Sequence, residues 1–266
     1  MLRSGSTWSF NVVLKLLRVG DPGRRTFGIF NESPAVLAAA ARPRFSNLVI
    51  KSHVLDPSTY PFCCNGALKT IYTWRNPYDV VVSCERMFGL SVESWIPPLQ
   101  NALRTWTFHR STNSACIVAY ESIVAEPSAV VERIADYLGL RIDPPRMHEI
   151  ADEFSFERVK NFSRHVDQLE SSRLERKDGR LFDRETLLHQ GHIRNGGTGY
   201  GARKLNEKQL SAIDAVLREE GYEFLCEPRR EDAEAPQPLQ SLAQGTGAPT
   251  ASQLKNTAVG TRPPIA

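Results

Sequence analysis

Trp74-Arg75-Asn76-Pro77-Tyr78-Asp79-Val80-Val81-Val82-Ser83 reads as a strand handing over to a helix. The apolar run Leu68–Trp74 is short and β-branched, as a buried parallel strand should be. Asn76 is a ready N-cap, Pro77 suits the first helical position, and Asp79 puts negative charge in the positive first turn. A helix over Pro77–Phe88 follows. Working outward, Asn47–Lys51 and Ala115–Tyr120 read as two more buried strands. Helical patterns cover Trp8–Arg18, Trp95–Arg110, Glu126–Leu138 and Asn206–Glu220, with Gly139 and Gly221 as stops. Such alternation implies an α/β domain with a mostly parallel central sheet flanked by helices on both faces.

The rest of the chain is read more coarsely. Ser163–Gly201 is polar, charged and glycine-rich, and is expected to be a long irregular segment acting as a lid. From Pro228 the composition shifts to Pro, Ala, Gln, Ser, Thr and Gly, so 1–227 is expected to be one domain and 228–266 a disordered tail. A net charge of +3 over 266 residues is too small to imply a nucleic-acid partner. Five cysteines without zinc spacing read as reduced thiols. No run approaches the roughly 18 apolar residues of a membrane span, so a cytoplasmic protein without a membrane partner is expected.

Arg3-Ser4-Gly5-Ser6-Thr7-Trp8 runs straight into the first helix. Gly5 allows a tight turn, the following amides point at one spot, and the helix dipole adds to the hydroxyls of Ser6 and Thr7 there. Taken alone, the stretch also reads as a Ser/Thr-rich helix cap. It lacks the spacing of a nucleoside-triphosphatase loop. His53 follows the strand ending at Lys51, where open α/β sheets place ligands, and its ordinary pKa suits proton transfer near neutrality. A lone histidine is also commonly structural. His189-x-x-His192 lies in a glycine-rich loop with no third ligand, so no metal is expected.

Together these segments resemble the PAPS-dependent sulfotransferase family, PAPS being 3′-phosphoadenosine 5′-phosphosulfate. Arg3–Trp8 is similar to its P-K-S-G-T-T-W loop, Arg75–Ser83 to R-N-P-x-D-x-x-x-S, and Lys51-Ser52-His53 to K-x-H. Tyr120-Glu121 with Pro127 and Leu138-Gly139 resembles Y-E-D…P…L-G, and Arg194-Asn195-Gly196 resembles R-K-G with asparagine in place of lysine. The resemblance implies a P-loop-type three-layer domain and a transferase that moves a sulfuryl group from PAPS to a hydroxyl or amine, leaving adenosine 3′,5′-bisphosphate (PAP). It implies that Ser4, Gly5, Ser6 and Thr7 wrap the 5′-phosphate and that Trp8 lies against the adenine. Tyr120 and Phe156 also match adenine-facing aromatics, and either could equally be plain core. Arg75, Ser83, Arg194, Asn195 and Gly196 would hold the 3′-phosphate, which a fork-shaped cation at a strand end suits. His53 would be the general base, with Arg3 and Lys51 on the transferring group. Arg3 donates a proton poorly, so its role would be electrostatic.

No metal is implied, since no strand ends in an aspartate placed to hold magnesium. A small molecule or a glycan is expected as acceptor, with a sugar, a phenol, a lipid and a peptide tyrosine all open; Glu85–Arg110 and Ser163–Gly191 are expected to line its site, and Phe88 and Trp95 are available to pack on it or are core. The oligomeric state is left open. Only Met1 and Leu2 precede Arg3, where the family has a strand of five or more residues, so the start is expected to lie too far downstream or the chain to be truncated. A non-catalytic nucleotide-binding relative and a small-molecule kinase of related fold are the alternative readings.

Overall fold

The computed structural model describes residues 1–31, 46–177, 179–193 and 197–226. The expected tail 228–266 and the segment Arg194-Asn195-Gly196 lie outside the described residues.

The first helix, α1, spans Ser6–Gly20. Strand β1, Arg25–Phe30, pairs in parallel with β2, Ser46–Lys51. A short helix, α2 (Tyr60–Cys64), leads to β3, Thr70–Trp74. Then come α3 (Pro77–Phe88), α4 (Ile96–Thr112) and β4 (Ala115–Ala119), which pairs in parallel with β3. Helices α5 (Tyr120–Ala125), α6 (Pro127–Leu138), α7 (Pro144–Glu153) and α8 (Phe156–Arg164) follow. An antiparallel hairpin, β5 (Leu174–Lys177) and β6 (Arg180–Asp183), precedes the last helix, α9 (Glu207–Glu219).

The β3–β4 pair is covered on both faces, as the short apolar runs require. Successive residues of a strand point to opposite faces, and each face has its own core. Ile71, Cys116 and Val118 pack with Val12, Val13 and Leu16 of α1, and with α6 and α7 through Val131, Ile134 and Ile150. Tyr72, Ala115 and Ile117 pack instead with Val81 of α3, Leu103 of α4 and Leu217 of α9. A column of aromatic rings stiffens that second core, with Trp106 stacked 4.8 Å from Trp74 and 4.7 Å from Tyr222. Helix, sheet and helix form the three layers.

The α/β class with parallel strands is as expected, but details within it are not. Among the described residues the parallel strands form two pairs, and β2 and β3 both contact α1 without pairing with each other. The edge of β3 is met by the chain start, where the Met1 amino group donates to the Thr73 carbonyl at 3.0 Å. Ser163–Gly201 is not irregular throughout, since it contains the β5–β6 hairpin. Finally, Tyr120 does not end strand β4 but opens α5.

Candidate functional site

Helix α3 begins as its sequence dictates. The Asn76 side chain accepts from the N–H groups of Tyr78 and Asp79 at 3.0 and 3.3 Å, and Pro77 takes the first position. Asp79 is fully buried and receives three successive amides, those of Gly199, Tyr200 and Gly201, at 2.8, 3.0 and 2.6 Å. Gly201 must be glycine here, because a Cβ would lie 2.3 Å from the Tyr78 carbonyl carbon. The segment 197–201 is thereby latched to the start of α3.

Arg75, at the end of β3, is 4% exposed. It donates to the carbonyls of Gly197 and Arg3 at 2.6 and 3.3 Å, and to Asp79 at 3.4 Å. Its guanidinium lies 4.2 Å from the Tyr120 ring centroid, with Tyr200 at 5.9 Å. Its Nε is buried and has no hydrogen-bond partner among the described residues. Desolvation of such a donor is costly, so an anionic acceptor fits here.

At the chain start Gly5 takes φ 92°, a left-handed conformation that glycine adopts without strain, and α1 begins with no side-chain cap. Its positive end therefore opens on the cavity that Gly5, Ser6, Thr7 and Trp8 line. Ser4 departs from expectation. It is fully buried, and its hydroxyl bonds to the Met1 and Thr73 carbonyls and the Thr73 hydroxyl, so it ties the loop to β3 and does not line the cavity. Arg3 has φ 55°, and its Nε donates to the Ser83 hydroxyl at 3.1 Å and its Nη2 to the His192 carbonyl at 3.2 Å. Trp8 is oriented by a bond from its Nε1 to the Phe154 carbonyl at 2.8 Å.

One cavity of 1410 Å³ collects these groups. Of the residues expected from the sequence, Arg3, Gly5, Ser6, Thr7, Trp8, Lys51, His53, Arg75, Ser83, Tyr120 and Phe156 line it. Ile193 and Gly197, which flank the undescribed Arg194–Gly196, line it too. The His53 imidazole is pushed down to about 3, first by burial and then by Lys51, the N-terminal ammonium and Arg3. His192 is held well below the ordinary value by burial and by Arg3, and packs edge-on to His189 at 4.4 Å. No group of three or more metal-ligating side chains occurs among the described residues.

Sequence reasoning missed the latch at Asp79 and the cavity-facing Tyr200, Lys177 and Arg180. Asp178-Gly179 between two short runs was the available signal for a hairpin. No local pattern announces that Asp79 binds amides 120 residues away.

The family model for the sulfotransferase domain matches residues 85–224. Sulfotransferase 2A6 of Rattus norvegicus is 22% identical over 247 residues, covering 82% of this chain and 81% of its own. Sulfotransferase 2B1 of Mus musculus is 25% identical over 243 residues, covering 82% and 68%. Among solved structures, retinol dehydratase in complex with retinol and PAP has a TM-score of 0.57 at 16% identity, covering 88% of this chain and 81% of that one. Mouse sulfotransferase SULT7A1 complexed with PAP also reaches 0.57 at 16%, covering 82% and 80%.

Proposed function

Because this chain belongs to the sulfotransferase family and is a PAPS-dependent sulfotransferase, we propose that it delivers the sulfuryl group to a hydroxyl of a small organic acceptor, with His53 as general base. The observation carrying the reading is a single cavity lined by the uncapped start of α1 and by Arg75 and Ser83, with His53 on its wall. The relatives include a 3-beta-hydroxysteroid sulfotransferase, and one neighbour binds retinol, both consistent with a ring-bearing hydroxy compound as acceptor.

The donor supplies an activated sulfur whose bond to the bridging oxygen breaks as the acceptor oxygen bonds to it. Everything else falls to the chain. The first-turn amides of α1 with Ser6 and Thr7 hold the 5′-phosphate, and Arg75 with Ser83 holds the 3′-phosphate that distinguishes this ligand from ADP. Tyr120, Trp8 and Phe156 supply ring faces for the adenine. Arg3 and Lys51 place fixed positive charge where oxygens become negative, which needs no reorganisation during reaction. His53 accepts the acceptor proton. Its imidazole is neutral at pH 7, as a base must be, and an anionic donor opposes the Lys51 and Arg3 charges that depress its basicity.

Sulfate transfer from labelled PAPS to a panel of phenols and alcohols tests the assignment. His53→Ala should lower turnover by about 10²–10⁴ with PAP affinity retained. Full turnover in His53→Ala would remove the base role, and equal affinity for ADP and PAP would remove the 3′-phosphate role of Arg75 and Ser83.

A further inference from the structure

The β5–β6 hairpin brings charge to the cavity that the donor does not need. Its register pairs Glu175 with Phe182 and Lys177 with Arg180. Alternation then turns these four residues to one face, and all four line the cavity. Lys177 and Arg180 are thus like charges directly opposite on an antiparallel ribbon, an arrangement that destabilises the ribbon unless an anion sits against it. Neither forms an ion pair among the described residues, and Glu175 on the same face pairs with neither. The hairpin is firmly placed. At its base the buried Asp183 accepts from Arg173 at 3.1 and 2.8 Å, and Arg180 donates to the Met87 carbonyl at 2.6 Å.

Both cations lie over exposed rings of the cavity wall. Lys177 is 5.5 Å from the Phe30 centroid, and Phe30 is itself 5.3 Å from the His53 ring. Arg180 is 4.9 Å from Phe88, whose ring lies 5.0 Å from Trp95. Base, aromatic wall and paired cations therefore follow one another along the same surface.

We propose that the acceptor is an anionic hydroxy compound, a ring-bearing molecule with a carboxylate remote from the reacting hydroxyl, and that Lys177 and Arg180 bind that carboxylate. This rests on the reading of His53 as the acceptor end of the cavity. Phe30 lies 5.3 Å from the His53 ring and 5.5 Å from Lys177, so an acceptor ring resting on Phe30 would have the base on one side and a cation within reach of a short carboxylate arm. Arg180 can engage the carboxylate through its fork, and Lys177 as a point charge.

The test compares 4-hydroxyphenylpropanoate with its isosteric amide, each titrated into PAP-saturated protein by calorimetry. The carboxylate should bind about tenfold more tightly, the difference expected of a charge-assisted contact. Lys177→Met, at an exposed position, should shrink that preference, and Lys177→Met with Arg180→Met should abolish it. Equal affinity for the two ligands, absence of binding by either, or a preference that survives in the double variant overturns the proposal. A carboxylate preference without sulfate transfer to any acceptor would sink the catalytic reading and leave this site standing. Transfer that is indifferent to the carboxylate would do the reverse.

Discussion

His53 lies where burial and positive charge act together on one imidazole. Lys51, Arg3 and the chain's amino group all oppose a proton on it, and its pKa falls to about 3. In the free protein the ring should therefore remain neutral from pH 8 down to pH 5. An NMR titration of its C–H resonance, assigned with His53→Gln, should show no inflection near the ordinary value of about 6.5. If PAP places its anions beside Lys51 and Arg3 as proposed, its addition should move the pKa upward. An inflection near 6.5 in the free protein would contradict the buried, cation-flanked placement. The residue itself was legible in the sequence because it follows a strand end in a recognisable K-x-H. Its depressed basicity was not, since that depends on groups that only the fold brings near.

At the scale of elements, segment 197–201 and helix α3 act as one unit through Asp79. Gly201→Ala should force them apart, because the added Cβ would meet the Tyr78–Asp79 backbone at 2.3–2.5 Å. PAP affinity should drop by about tenfold or more, since Arg75 depends on the Gly197 carbonyl in the same segment. Gly197→Ala is the control, its nearest neighbour among the described residues being a Tyr200 ring atom at an ordinary 3.5 Å. Equal affinity in the two variants would show that the latch does not position the site. The start of helix α3 was readable to the residue because Asn76 and Pro77 carry its signals. Strand β1 was not, because Arg25-Thr26-Phe27-Gly28-Ile29-Phe30 has neither clean alternation nor an uninterrupted apolar run. The hairpin escaped notice among charged residues whose alternation matters only against the cavity wall. The turn of the Ser4 hydroxyl toward Met1 and Thr73 was not legible, because a motif position says nothing about which way a hydroxyl points.

Across the whole molecule, four of six histidines are held below their ordinary pKa by burial: His53, His109, His189 and His192. All four are neutral in the fold at neutral pH, and each gains a proton on unfolding once the pH drops below about 6.5. The unfolded state then binds more protons, so stability is lost as pH falls from about 6.5 toward 4. Thermal melts of the free protein should show Tm falling steadily over that window, and replacing His109 by Gln should flatten the slope. A Tm that is level from pH 7 to 5 would exclude these linked protons.

The three amides that Asp79 engages are already satisfied within the protein, so they have nothing to offer a phosphate. Among the described residues the Arg75 end thus presents a guanidinium, whereas the start of α1 offers main-chain groups that no substitution short of proline removes. The two ends of the proposed nucleotide site would then differ in tolerance to genetic drift: the sequence Gly5–Thr7 can vary in its hydroxyls and still present a dipole, whereas losing the Arg75 guanidinium removes a charge outright.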